Sequence, residues 1–519
     1  MLKALFSNYS KVLLVLFSLG IFSSCQKKID PEQIVVATVG KEKITVSDFR
    51  RNYEFGFAHL KKDPDRKRSY LDYMIKEKVL SLEGYRLGLD KSERVQKAEK
   101  NLLDELLVEE FFKYHVNSKI KITPEQIHAA INKSKVSWKL RYWVEPTEDY
   151  ANRVCQAMRQ RGYMPVVDDI LKSNPEIHLK PKDFETKYLT WLDVSDEMLD
   201  EIKDLPVGAI SDPIKKNGVY FIYQVVDIKR EPVLSDYDYK DKYESTRETL
   251  YYRELKNEAT KYVSAYMTPK NVVTKGSAFR TLANALEQWQ KQKNHDKDFL
   301  QAVTNATAAD SEKALLQLKN KLDETLVTFK GGQWTLKDFI ERLDPRDVRS
   351  KKGDKKSLRS KLNDEIALSV RNSFFIKEAK KRGLDKLPSV KKQLKEWRDK
   401  WVYEEARREF TKDLSISDDQ ARAYFDKFKD RYKIRWDDKP KYKDFKNQAK
   451  RDAYIQLAHV ELKNKINSLL PLYPVVINKA VLDTITTIEF KKSRWATMQA
   501  FKQSSHRLAA PIVDPAWGF

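Results

Sequence analysis

Apolar positions along this chain recur at helical spacing over long stretches and alternate over short ones. Leu71, Met74, Ile75, Val79 and Leu82 fall three and four apart, which predicts a helix with one buried face. It ends at Gly88-Leu89-Asp90, where the glycine suits a helix C-cap. A second set, Leu362, Ile366, Val370 and Phe374, ends in the same way at Gly383-Leu384-Asp385. Upstream of each lies the same short pattern: Ala-Thr-Val-Gly-Lys-Glu-Lys-Ile-Thr-Val-Ser-Asp-Phe over 37–49 and Val-Thr-Phe-Lys-Gly-Gly-Gln-Trp-Thr-Leu-Lys-Asp-Phe over 327–339. Each reads as strand, turn, strand and helix start. Thr45/Asp48 and Thr335/Asp338 have the spacing of a capping box, with Asp in place of Glu.

The duplication continues downstream. A further helix starts near Val95 in one copy and near Val390 in the other. Ile122-Thr-Pro-Glu-Gln126 and Ile416-Ser-Asp-Asp-Gln420 are helix starts with an N-cap hydroxyl, and Trp138-Lys-Leu-Arg-Tyr142 matches Tyr432-Lys-Ile-Arg-Trp436. There the copies part. The second runs almost directly through Pro440 into a long helix and then Pro474-Val-Val-Ile-Asn. The first reaches Pro232, the helix from about Asp238 to Met267 and Lys270-Asn-Val-Val-Thr only after a compact extra segment, 140–231. The expected organisation is a first helical copy over 35–139, an inserted domain over 140–231, and a helix and strand over 232–275 completing the first lobe. A helical connector over 276–325, a second lobe over 326–483 and a tail over 484–519 follow. The fold class is mostly α with a small α+β insert.

The N-terminus is different. Lys3 and Lys11 precede an apolar run, Val12–Phe22, that is too short to span a membrane, and Ser23, Ser24 and Cys25 follow. This resembles a bacterial lipoprotein signal, which implies cleavage after residue 24 and a lipid on the Cys25 thiol, with 25–34 as a tether. Gln26 after that cysteine favours the outer membrane by analogy with sorting rules. The remaining cysteine, Cys155, sits at helical spacing and reads as a small buried apolar residue.

Composition narrows the function classes. Hydrophobic residues make up 41% of 519, enough for packed cores, and 14 Gly with 18 Pro exclude a low-complexity chain. The formal charge is +23, or +21 once Lys3 and Lys11 are removed. The basic runs Arg346–Lys356 and Lys439–Lys446 are interleaved with acids, so they read as solvated faces, and no nucleic-acid partner is expected. The surplus suits anionic headgroups or acidic clients. There is no Cys-x-x-Cys, His-Glu-x-x-His, glycine-rich phosphate loop or Gly-x-Ser-x-Gly. His115, His128, His459 and His506 are scattered without metal spacing. No metal, cofactor or catalytic nucleophile is expected.

The repeat, taken with the insert, resembles the helical chaperone domain of SurA/PrsA/trigger-factor-like envelope foldases, which commonly carry an inserted parvulin (PpiC-type) prolyl isomerase. The best-matching insert residues are Leu205-Pro-Val-Gly208-Ala-Ile-Ser211-Asp-Pro213-Ile and Gly218-Val-Tyr220-Phe-Ile-Tyr-Gln-Val-Val226. Parvulins use two histidines. The corresponding positions, after Arg141 and after Gly218-Val219, hold Tyr142 and Tyr220. Of the glycine-rich segment only Leu189 and Trp191 remain, and His178 lies in a predicted loop.

The resemblance implies a lipid-anchored periplasmic chaperone for unfolded or nascent envelope proteins, outer-membrane β-barrels among them. Its parvulin-like domain is expected to lack strong isomerase activity. Tyr142, Met158, Met164, Trp191 and Tyr220 are the candidate peptide-pocket residues. Two alternatives stand: an accessory subunit of an outer-membrane assembly or secretion complex, and an active peptidyl-prolyl cis-trans isomerase. For the first, the apolar tail offers Trp517 and Phe519 for docking, unless it packs on its own second lobe.

Overall fold

A computed structural model describes residues 30–174, 179–216, 218–231, 235–292, 299–349, 357–433, 439–488, 508 and 510–518. The signal segment, Cys25, His178, Pro232, His506 and Phe519 lie outside these residues. The chain opens with the hairpin β1 (Val35–Val39) and β2 (Glu42–Thr45), then α1 (Val46–Phe55), α2 (Arg66–Arg86), α3 (Glu93–His115) and α4 (Pro124–Lys133). The insert contributes β3 (Val136–Glu145), α5 (Glu148–Arg161), α6 (Tyr163–Lys172), β4 (Glu185–Thr190), α7 (Asp196–Ile202), β5 (Ile214–Lys216) and β6 (Val219–Arg230). The long α8 (Asp236–Met267), β7 (Val273–Thr274), α9 (Gly276–Lys291), α10 (Phe299–Thr304) and α11 (Lys313–Lys319) follow. The second copy is β8 (Thr325–Phe329), β9 (Gly332–Thr335), α12 (Leu336–Ile340), α13 (Leu358–Lys381), α14 (Pro388–Thr411), α15 (Asp418–Lys427) and α16 (Tyr442–Leu469), then β10 (Val475–Ile477) and α17 (Lys479–Thr484). The fold is mostly α with small antiparallel sheets. Among the described residues no helix is long and apolar enough to cross a membrane.

The two copies agree in detail. In the first hairpin Val39 pairs with Glu42, Thr38 with Lys43 and Ala37 with Ile44, and a bulge precedes Val35–Thr45. In the second Phe329 pairs with Gly332, Thr328 with Gln333 and Val327 with Trp334, and the same bulge precedes Thr325–Thr335. Both turns place a glycine at positive φ, Gly40 at 56° and Gly331 at 92°. Both capping boxes form: the Asp48 and Asp338 amides donate to the threonine hydroxyls, and each carboxylate accepts from its threonine amide in return. Thr123 with Gln126 and Ser417 with Gln420 make a second matched pair of boxes.

The third strand of each sheet departs from the expected lobes. β7 was expected to complete the first lobe and β10 the second. Instead β10 pairs with β1, through Ala37–Ile477, Thr38–Val476 and Val39–Val475. β7 pairs with β8, through Val273–Thr328 and Thr274–Val327. The two registers are equivalent, so each hairpin takes the closing strand of the other copy. The chain accordingly divides into one compact unit of 1–107 with 379–519 and another of 108–378, and it crosses between them inside α3 and α13. Val-Val-Ile and Val-Val-Thr are chemically interchangeable edge strands, so nothing local decides which hairpin each one joins.

In the first unit α2 packs along α14, and the core gathers Phe49, Tyr70, Leu71, Val79, Leu80 and Tyr403 with Leu462 and Ile466 of α16. The helices cross closely at Gly84, where an added Cβ would lie 2.6 Å from Val402 Cγ1 and 3.0 Å from Val402 O. In the second unit α9 and α11 pack under the β7–β8–β9 sheet with Leu326, Phe339, Leu362 and Val370. Beside that core Phe111 stacks on Phe375 at 4.6 Å, with Tyr266 edge-on at 5.2 Å from Phe375.

The second unit also carries a pH-sensitive carboxyl. Burial, reinforced by Asp347 and Asp344, pushes Glu365 up to about 7. Folding therefore favours its protonated form. The contribution of this group to stability is greatest below its unfolded value of 4.5 and is lost as pH rises to about 7. Glu365→Gln should remove that slope. It should also stabilise the chain at pH 8 by about 1 kcal/mol, less than the full linkage value because the carboxyl still sees water. Urea midpoints across pH 4–8 check this, and a variant no more stable at pH 8 would contradict it.

Candidate functional site

The insert is a four-stranded antiparallel sheet in the order β4-β3-β6-β5. The α5–α6 pair covers one face, with Trp143, Cys155, Met158, Tyr163, Val167 and Ile222 in its core. α7 covers the other, over Trp138, Leu140, Tyr223 and Val225. Cys155 is buried, its thiol lies 3.3 Å from the Ser211 carbonyl, and burial pushes its pKa up. That thiol is part of the packing and is not poised as a nucleophile.

Of the five candidate pocket residues, Tyr220, Met158 and Met164 gather in one cluster, while Tyr142 and Trp191 lie elsewhere. Tyr220 is in the α5–α6 core, and its hydroxyl donates to Glu148 Oε2 at 2.9 Å. Tyr142 belongs to the opposite face with Leu140 and Tyr223. Met158 is core, and Met164 packs at the edge of the same cluster. Trp191 points elsewhere: its indole N–H donates to the Ala130 carbonyl of α4 at 2.8 Å, and Arg253 of α8 lies 4.9 Å from its ring centroid. It joins the insert to the helices that flank it. So the tyrosines at the two histidine positions pack on opposite faces of the sheet.

The first unit holds a different arrangement. Residues 511–518 run along α1, α2, α14 and α16 as an irregular segment ending in one 3₁₀ turn (Pro515–Gly518). Asn52 clamps the backbone from both sides: its Oδ1 accepts from the Val513 amide at 3.0 Å, and its Nδ2 donates to the Pro511 carbonyl at 3.2 Å. The Tyr70 hydroxyl donates to the same Oδ1 at 2.9 Å and fixes the carboxamide. Glu77 Oε1 accepts from the Asp514 amide at 2.6 Å and from the Trp517 indole at 3.2 Å, while Lys400 Nζ sits 3.0 and 2.8 Å from the two oxygens. Asp514 pairs with Arg407 and accepts from the Tyr403 hydroxyl at 3.1 Å.

Val513 and Trp517 fill apolar sockets; the indole stacks on Tyr73 at 6.5 Å and meets His459 edge-on at 5.3 Å. Burial, with the nearby Lys76 and Lys463, holds His459 below its ordinary value, so a neutral ring faces the indole. Burial pushes the Glu77 carboxyl up, and Lys400 and the Asp514 amide pull against it. Trp517 is therefore not exposed for docking on a partner: it packs on both copies at once, on α2 and on α16.

Alongside this segment lies a cavity of about 430 Å³. Ile44, Met74 and Ile512 give it apolar walls, and Lys41, Lys43 and Lys392 stand among its charged lining. The Ser81 hydroxyl, fully buried in its wall, has no hydrogen-bond partner among the described residues. The sequence reading missed Asn52, Glu77 and Arg407. Two signals were present: an acid, Glu77, among the apolar positions Met74 and Leu80 of α2, and a lone acid, Asp514, in an apolar tail.

No family model matches the chain, and no curated protein does. Among solved structures it is similar to a SurA-like chaperone of Campylobacter jejuni at 16% identity, over 46% of this chain and 100% of that one, with a TM-score of 0.22. It is also similar to the peptidylprolyl isomerase PrsA of Bacillus cereus, at 14% identity over 56% of this chain and 100% of that one, TM-score 0.21. A third is the foldase protein PrsA of Streptococcus pneumoniae, at 15% identity over 43% and 88%, TM-score 0.22. With overlaps this loose, the duplication, the exchanged strands and the insert stand on the geometry above.

Proposed function

We propose that the chain is a chaperone of the bacterial envelope that holds unfolded or nascent polypeptides, outer-membrane β-barrels among them, on its duplicated helical lobes. The observation that carries this reading is the Asn52 clamp on Pro511 and Val513: a lobe that grips a chain segment by its backbone. Adaptable apolar sockets beside a backbone clamp suit many weakly bound partners. Holding needs no nucleotide. The proposal includes a lipid on Cys25, attachment at the periplasmic face of the outer membrane, and the use of the basic surplus to attract anionic lipid or acidic clients.

The parvulin-like domain serves this reading as a binding and spacing element. Catalysing rotation about X-Pro, against a barrier of ~20 kcal/mol, needs groups placed to favour the twisted amide. Tyr142 and Tyr220 face opposite sides of the sheet. In a proline-limited refolding assay the full chain should leave the slow phase within about two-fold of its uncatalysed rate. Acceleration on the order of 10²-fold, lost on Tyr220→Ala, would overturn the inactive assignment.

A further inference from the structure

The tail is seated as a ligand is, and this makes the groove a specific site. A segment that exists only to complete a core is close-packed on all sides. Residues 511–517 bury only Val513 and Trp517 and are otherwise held by polar contacts, namely the Asn52 clamp, the Glu77 acceptor and the Asp514–Arg407 pair. They leave about 430 Å³ open alongside Pro511–Val513. That space is lined by charged groups of both signs, with lysines and arginine outnumbering the acids, and by the unpartnered Ser81 hydroxyl, so the groove is larger and more polar than its occupant requires.

From this we infer that residues 511–518 occupy, in cis, the groove that an unfolded client segment takes in trans. The preferred segment is extended, with an aliphatic residue, an acid directly after it and an aromatic three residues further on, as in Val513, Asp514 and Trp517. Clients compete with the tail. Lys41 and Lys43 make no ion pair among the described residues, and with Lys392 they favour acidic flanks in the client. This rests on the chaperone reading and names its binding site.

The test uses the full chain and two probes. The first is a fluorescein-labelled peptide with the sequence of residues 510–519. It should bind the Asp514→Ala/Trp517→Ala variant at least ten-fold more tightly than the unaltered chain, whose own tail blocks the groove. Adding Asn52→Ala to that variant should return binding to the level of the unaltered chain. Equal binding to all three would overturn the inference. The second probe needs no variant to fold: hydrogen exchange at 511–517 of the unaltered chain, with and without a urea-unfolded outer-membrane β-barrel protein. Exchange there should rise at least ten-fold when client is bound. If client binds and these amides do not change, the site assignment falls and the chaperone reading stands; if no client binds at all, the chaperone reading itself falls.

Discussion

Val476→Pro should strip protection from the first hairpin, more than 400 residues away in sequence, and leave the second hairpin untouched. Val476 is 67% exposed and pairs with Thr38, so a proline there removes a ladder amide without opening the core. The expected cost to the sheet of β10, β1 and β2 is about 2–3 kcal/mol, read as faster hydrogen exchange at Thr38 and its neighbours. Val273→Pro is the mirror experiment. Val273 is 52% exposed and pairs with Thr328, so this variant should deprotect β8 and spare β1. Were each copy closed by its own strand, the two results would be reversed. The crossed pattern is a signature that no self-contained lobe produces.

Glu77→Ala is the second large effect. It leaves the Lys400 ammonium, only 12% exposed and set against Tyr403, without its carboxylate, and it takes the acceptor from the Asp514 amide and the Trp517 indole. Removing one half of a buried pair costs about 3–5 kcal/mol, most of it the penalty of the stranded charge. The double variant Glu77→Met/Lys400→Met should recover most of that loss, and the remaining deficit measures what the tail donors lose. Denaturant midpoints of the unaltered chain and the two variants check this. A single-variant loss under about 1 kcal/mol would mean that Glu77 is not the keystone of the tail seat.

Much of the local structure was legible because it depends on neighbours in sequence. Thr45, Thr123, Thr335 and Ser417 announce their helices through a partner three residues on, and all four boxes form. Gly88 and Gly383 stop their helices in the left-handed conformation that glycine adopts freely. The insert was legible as an interruption between matched segments. What stayed hidden depends on distant partners. Two interchangeable closing strands do not say which hairpin they join. Tyr142 and Tyr220 were placed by their neighbours Arg141 and Gly218, but the face each occupies follows from the register of β3 against β6 and from its bulge. Trp517 read as an open docking group because its socket is built from Tyr73 and His459, whose own positions mark neither as part of a groove.

The central claim is that these lobes hold unfolded chains, and dilution of a urea-unfolded outer-membrane β-barrel protein into the purified protein tests it most directly. Light scattering should fall steeply at near-equimolar ratio, without nucleotide, and the effect should weaken as salt screens the basic surface. A folded, soluble protein that leaves aggregation unchanged up to a large molar excess would contradict the account. It would turn attention to a dedicated role within a membrane complex.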